Sequence, residues 1–172
     1  MKTGYVQIYT GDGKGKTTAA LGLALRAAGH GLRTYFGQFM KGQRYGELDA
    51  LGDHPLITIK QYGETECIRR EDVTSEDVVR ARRGLDAARA AMLSGRYDIV
   101  VLDEINVALW FDLVSLEQVL ALVAARPKGV ELVLTGRRAP PELLERADLV
   151  TEMQEVKHYY RRGIISRDGI ER

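Results

Sequence analysis

The sequence predicts an α/β protein, a parallel sheet covered by helices on both faces and so three layers thick. Three observations carry that prediction. Strand-like and helix-like segments alternate along the 172 residues, the pattern left by helical crossovers between parallel strands. Tyr97 to Leu102 is a continuous apolar run, the mark of a central strand buried on both faces. A glycine-rich turn at residues 10–18 joins the first strand to the first helix.

Taken in order, Tyr5 to Tyr9 reads as a strand and Ala19 to Ala28 as a helix, stopped by Gly29-His30-Gly31. Arg33 to Met40 is a second strand. Lys41 to Pro55 is polar and contains glycine, which predicts a long loop with one helical turn. Leu56 to Tyr62 alternates apolar and polar residues, as a strand does. Thr74 with Asp77 three residues on makes a capping-box pattern, and Val78, Ala81, Leu85, Ala88 and Met92 recur at helical spacing up to Ser94-Gly95. Arg80, Arg82, Arg83 and Arg89 on that helix read as a solvated face. Ser115 with Gln118 opens another helix, ending at Arg126-Pro127. Val130 to Leu134 is strand-like, Pro140-Pro141 starts a short helix, and Leu149 to Met153 is the last strand.

The chain has the length of one domain, residues 1–172, able to bury a core without covalent staples. A formal net charge of +1 supplies neither a basic field for nucleic acid nor an acidic tail for a basic partner. Cys67 is the single cysteine, so no internal disulfide forms and a reducing compartment is expected. The N-terminus enters the first strand within a few residues, leaving no room for a signal peptide. No apolar run approaches the roughly 20 residues that span a bilayer. The expectation is a cytoplasmic, soluble protein without membrane or nucleic-acid partners.

Residues 10–18 read Thr-Gly-Asp-Gly-Lys-Gly-Lys-Thr-Thr, a phosphate-binding loop. Gly11, Gly13 and Gly15 let the backbone turn tightly and aim successive N–H groups, with those of Asp12, Lys14 and Thr18, at phosphate oxygens. Lys16 is spaced to reach the terminal phosphates and the Thr17 hydroxyl to ligate Mg²⁺. The following helix adds the positive end of its dipole. One departure stands out: Thr10 occupies the position of the usual first glycine.

The buried strand Ile99 to Leu102 runs into Asp103-Glu104. Acids at the carboxyl end of such a strand are where a Mg²⁺–nucleotide site collects its carboxylate; the other reading makes Asp103 or Glu104 the N-cap of whatever follows. Mg²⁺ keeps several waters, so one carboxylate with Thr17 and phosphate oxygens suffices. Arg137, in Thr135-Gly136-Arg137 at the end of a later strand, is either a phosphate or ribose contact or a surface arginine. No Cys/His spacing suits zinc, and no Ser–His–Asp set assembles. The residues themselves lead to a Mg²⁺–ATP site on a parallel sheet; the fold class expected is a three-layer P-loop NTPase of RecA-like type. They leave open whether ATP is hydrolysed, donates a phosphoryl group or is attacked elsewhere.

A set of strings resembles the P-loop type of ATP:corrinoid adenosyltransferase. It comprises the loop Thr10 to Thr18, Gln38-Phe39-Met40-Lys41-Gly42, Gly46-Glu47, Val101-Leu102-Asp103-Glu104, Thr135-Gly136-Arg137, Ala147-Asp148 and Val156-Lys157-His158. They fall in the family's order over nearly the whole chain, and the family's loop similarly lacks the first glycine. The resemblance implies a Co(I) corrinoid that attacks the 5′ carbon of the ATP ribose and expels triphosphate. It implies Lys16 and Glu104 as catalytic groups, Thr17 and Glu104 as Mg²⁺ ligands with Asp103 adjacent, and Lys41 and Arg137 as nucleotide contacts. It also implies a homodimer served by an electron-donating reductase. The competing functions are a P-loop kinase for a small metabolite and a nucleotide-dependent switch.

Two departures from the family matter. Some members carry an aromatic pair after the third strand that displaces the lower cobalt ligand. Here that stretch is Tyr62-Gly63-Glu64-Thr65-Glu66-Cys67, leaving Tyr62, Trp110 and Phe111 each either as a substitute or as a core residue. Some relatives also have an N-terminal extension that closes over a partner's site, and this chain begins almost at its first strand.

Overall fold

The computed structural model describes residues 1–65 and 69–171. Six strands, β1 (Val6–Thr10), β2 (Thr34–Phe39), β3 (Ile57–Tyr62), β4 (Ile99–Asp103), β5 (Glu131–Thr135) and β6 (Leu149–Glu152), form one sheet in the order β3-β2-β4-β5-β1-β6. All the pairings are parallel. The helices are α1 (Lys16–Ala28), α2 (Gly46–Leu51), α3 (Ser75–Leu93), α4 (Ile105–Trp110), α5 (Leu116–Ala124) and α6 (Pro141–Leu144). Short 3₁₀ turns occupy Arg70–Asp72 and Tyr159–Arg162.

The central strands are apolar on both faces because both are covered. Ile99 and Val101 of β4 and Val133 of β5 pack with Ala20 and Ala27 of α1, while Val100, Leu102, Leu132 and Leu134 face α3, α4, α5 and α6. α2 joins α1 on its face through Leu51. Large side chains such as Phe36, Phe39 and Met92 are fully buried, each contributing about 1.5–3 kcal/mol through loss of apolar surface from water.

Both predicted capping boxes form. Thr74 and Asp77 exchange hydrogen bonds at the start of α3, as do Ser115 and Gln118 at the start of α5. Each satisfies two otherwise orphaned backbone donors. Three details differ from the sequence reading. α1 begins at Lys16 rather than Ala19, because Gly15 takes a left-handed φ of 114° and turns the chain directly into the helix. The predicted turn between Lys41 and Pro55 is the six-residue α2. α4 was not predicted: it follows β4 through Glu104 alone, whose side chain makes no cap.

Strand register aligns the functional edge. Gln38 pairs with Asp103, Tyr9 with Thr135 and Thr10 with Glu152. The phosphate loop, the acidic pair and Thr135-Gly136-Arg137 therefore leave the sheet at its carboxyl end, where open α/β sheets bind ligands. One strand, β5, lies between β1 and the acid-tipped β4, as in a RecA-like sheet. Among the described residues no helix is long and apolar enough to cross a membrane.

Candidate active site

The phosphate loop is held by the segment after the edge strand. Gly13 N donates to the Met153 carbonyl at 2.6 Å, and Met153 N to the Thr10 carbonyl at 2.9 Å. The approach is so close that a Cβ on Gly11 would stand 2.5 Å from Met153 O, and Gly11 has φ 88°. Only glycine fits there. Lys16 is buried and spans the loop, donating to Gly11 O at 2.8 Å and Gly13 O at 2.5 Å. Burial pushes its ammonium below the usual lysine range and Arg137 adds to this, while Glu104, Asp12 and Asp103 oppose it. An ammonium under that strain gains from any triphosphate placed beside it.

Asp103 is fully buried and fully engaged. Its Oδ1 accepts from Thr17 Oγ1 at 2.9 Å and Thr135 Oγ1 at 2.7 Å, and its Oδ2 lies 2.9 Å from Lys41 Nζ. Lys41 also donates to Thr17 Oγ1 at 3.3 Å and lies 3.9 Å from Glu47. Burial alone would lower the Lys41 pKa; Asp103, Glu47 and Glu104 outweigh it and raise it. Asp103 thus orients three donors from β5, α1 and the end of β2.

Glu104 is different. Among the described residues its carboxylate has no hydrogen bond or ion pair, although it lines the same cleft as Lys16, Lys41 and Arg137. Burial, then the charge of Asp103, raises its pKa against the opposing pull of Lys41, Lys16 and Arg137. A partly buried carboxylate without a protein partner, next to a hydroxyl, suits a hard divalent cation that draws its other ligands from water and phosphate. No cluster of three or more His, Cys, Asp or Glu occurs among the described residues, so an all-protein cage is not what this site offers. Glu104 also has φ 61°, strain at the position that faces the cleft.

The cleft encloses about 610 Å³ and takes in Gly13 to Thr18, Lys41, Glu104 and Arg137. The sheet edge thus brings together the loop, the acidic strand end and Lys41 as the sequence predicts. Arg137, exposed at the turn after β5, borders the cleft beside them. Gly11 and Asp12 flank it from the β1 side, Asp12 bordering a neighbouring hollow shared with Arg137. Sequence reasoning gave no place in the site to Tyr45, to His158 of the Val156-Lys157-His158 string or to the stretch Gly169 to Glu171, which also line it. It also missed Asn106, fully buried, whose Nδ2 donates to Gly136 O at 3.0 Å and whose Oδ1 has no partner among the described residues. The acids at 103–104 were the signal for a site there; nothing local marked Asn106 or the distant C-terminal residues.

The three aromatic substitutes fall in different places. Tyr62 turns inward, its hydroxyl 2.6 Å from that of Tyr35 and its ring 6.0 Å from Phe39. Phe111 packs against the core. Trp110 is the exposed one, with the Arg138 guanidinium 4.1 Å and that of Arg70 5.7 Å from its ring centre. Glu66 and Cys67 lie outside the described residues.

The parallel sheet, the loop entering α1 and the acid-tipped β4 define a P-loop nucleotide-binding protein. A family model for ATP:corrinoid adenosyltransferase BtuR/CobO/CobP matches residues 2–172. Among similar proteins, the corrinoid adenosyltransferase of Pseudomonas aeruginosa is 36% identical over 98% of this chain and 83% of its own length. That of Escherichia coli K12 is 34% identical over 98% of this chain and 85% of its own. An uncharacterized protein of Nostoc sp. is 39% identical over 91% of this chain, which spans 45% of that protein's length. The chain belongs to the ATP:corrinoid adenosyltransferase family, transferases that adenosylate corrinoids from ATP.

Proposed function

We propose that residues 1–172, acting as one domain, transfer the 5′-deoxyadenosyl group of ATP to the Co(I) centre of a reduced corrinoid and release triphosphate. The observation that supports this most directly is the juxtaposition of the phosphate loop with Glu104, a carboxylate in the same cleft without a partner among the described residues. The electron pair on Co(I) forms the Co–C5′ bond, the C5′–O bond breaks, and its electrons leave with the triphosphate. The corrinoid is the substrate and supplies the nucleophile, so the protein's part is placement and charge.

Lys16 and the loop amides bind the triphosphate and neutralise the charge it gains as leaving group. Reaching the phosphates requires Lys16 Nζ to exchange its Gly11 and Gly13 carbonyls for phosphate oxygens. Thr17 and Glu104 would hold Mg²⁺, with Asp103 orienting Thr17 and Lys41 beside them. Bound there, Mg²⁺ supplies further charge neutralisation on the leaving group. Arg137 and Lys41 add positive charge at the cleft's rim.

The working form is a cytoplasmic homodimer fed by an electron-donating reductase, in synthesis or salvage of the adenosylated cofactor. The test is anaerobic: MgATP and chemically reduced cob(I)alamin, followed by absorbance, with the phosphate products identified. A light-sensitive Co–C product with equimolar triphosphate is expected. ADP in its place, with no corrinoid product, would overturn the reading in favour of a kinase or a switch.

A further inference from the structure

The nucleotide cleft has a wall made of the end of the chain. After β6 the backbone lies against the phosphate loop at Gly13, passes His158 and the turn Tyr159–Arg162, and returns so that Gly169 to Glu171 border the cleft. Glu171 is a clasp on that return. The Glu171 carboxylate, 16% exposed, accepts from the Tyr159 hydroxyl and from Arg167 N at 2.9 Å, and it pairs with the Arg167 guanidinium at 3.3 Å. That guanidinium lies 4.8 Å from the Tyr159 ring centre. From the loop side, Lys14 Nζ donates to the Ile170 carbonyl at 3.0 Å.

Apolar packing contributes little to this arrangement. Ile165 is 74% exposed, Tyr160 70% and Ile170 55%. A segment with so little apolar burial opens at low free energy, so a ligand that touches it shifts its equilibrium readily. Lys14 belongs to the loop that faces phosphate, yet its ammonium is here tied to the chain end. With three N–H donors, that ammonium can hold the Ile170 carbonyl and a phosphate oxygen at once.

We propose that residues 158–171 form a strap that completes the nucleotide site, closing on bound ATP with the Glu171 clasp as its fastening and Lys14 as its link to the phosphate loop. The proposal rests on the reading of the cleft as an ATP site. By linkage, whatever loosens the strap weakens ATP, and ATP tightens the strap by the same factor.

The test needs no corrinoid. MgATP binding is measured by calorimetry for the full chain and for Glu171→Ala, and trypsin cleavage after Arg162 and Arg167 is followed by mass with and without MgATP. The expected results are roughly tenfold weaker binding by the variant and several-fold slower cleavage of the unaltered chain when MgATP is present. Equal or tighter binding by Glu171→Ala, or cleavage of the unaltered chain indifferent to bound MgATP, overturns the strap while leaving the ATP site standing. No MgATP binding by the unaltered chain overturns the ATP reading itself, and the strap with it.

Discussion

Asp103 Oδ2 lies 2.9 Å from Lys41 Nζ, a contact between a fully buried carboxylate at the end of β4 and an ammonium just past the end of β2. Two neighbouring parallel strands are thereby tied at the edge where the site forms. Removing one partner of a buried pair strands the other's charge, which costs about 3–5 kcal/mol. The hydroxyls of Thr17 and Thr135 on the same carboxylate soften that cost. Lys41→Met is expected to lose about 3 kcal/mol in urea unfolding, and Asp103→Asn in the same background to recover a large part of it. Additive losses would show that the pair is uncoupled.

Lys16 is buried within the loop it bridges. Lys16→Ala is expected to lower adenosylation of pre-reduced corrinoid by at least about a hundredfold. Near-full turnover would mean that the loop does not hold the leaving group.

Glu104 combines strain with an unpaired charge. Its φ of 61° costs a side-chain residue roughly 1 kcal/mol relative to glycine. Glu104→Gly is therefore expected to unfold at slightly higher urea concentration while needing at least about tenfold more Mg²⁺ for half-maximal activity. An unchanged Mg²⁺ requirement would remove Glu104 from the metal site.

Tyr62 is a packing residue. A Cβ on Gly84 of α3 would stand 2.7 Å from Tyr62 Cγ and 3.0 Å from Phe39 Cε1. Gly84→Ala is expected to destabilise by about 1–3 kcal/mol in spite of alanine's better helix propensity, and Tyr62→Ala should relieve part of that loss. Activity of Tyr62→Ala should fall equally with Co(II) and pre-reduced Co(I) substrate. Selective loss with Co(II) would restore it as a ligand-displacing aromatic.

Asp77 links stability to pH. Burial alone would raise its pKa, but hydrogen bonds from Thr74 and Arg80 outweigh it and hold the carboxyl below its ordinary value of 3.8. A depressed folded pKa contributes stability that is present above the unfolded value and lost as pH falls through the folded one. Asp77→Asn should thus narrow the stability difference between pH 7 and pH 3 in denaturant titrations. An unchanged difference would show that the cap does not titrate with folding.

Much of the architecture was legible because it is written in local signals. Glycine spacing at residues 11–15, two capping boxes and a doubly apolar β4 each depend on a few adjacent residues. α4 escaped because its start is a left-handed Glu104 without a side-chain cap and its length is six residues, too short for helical periodicity to register. The inward turn of Tyr62 depends on Tyr35 and Gly84, neither of which is its neighbour in sequence.

The sequence by itself determined the strand-and-helix alternation, the phosphate loop with Lys16 and Thr17, and the acidic pair at 103–104, because backbone conformation and side-chain chemistry over short stretches suffice for those. Only the tertiary structure decided that Asp103 is consumed by Thr17, Thr135 and Lys41 while Glu104 has no partner among the described residues. It alone brought Ile170 to within 3.0 Å of Lys14 across 156 residues. The reason is that adjacent carboxylates on a strand end point into different surroundings, and those surroundings come from elements that sheet order, not sequence order, makes neighbours.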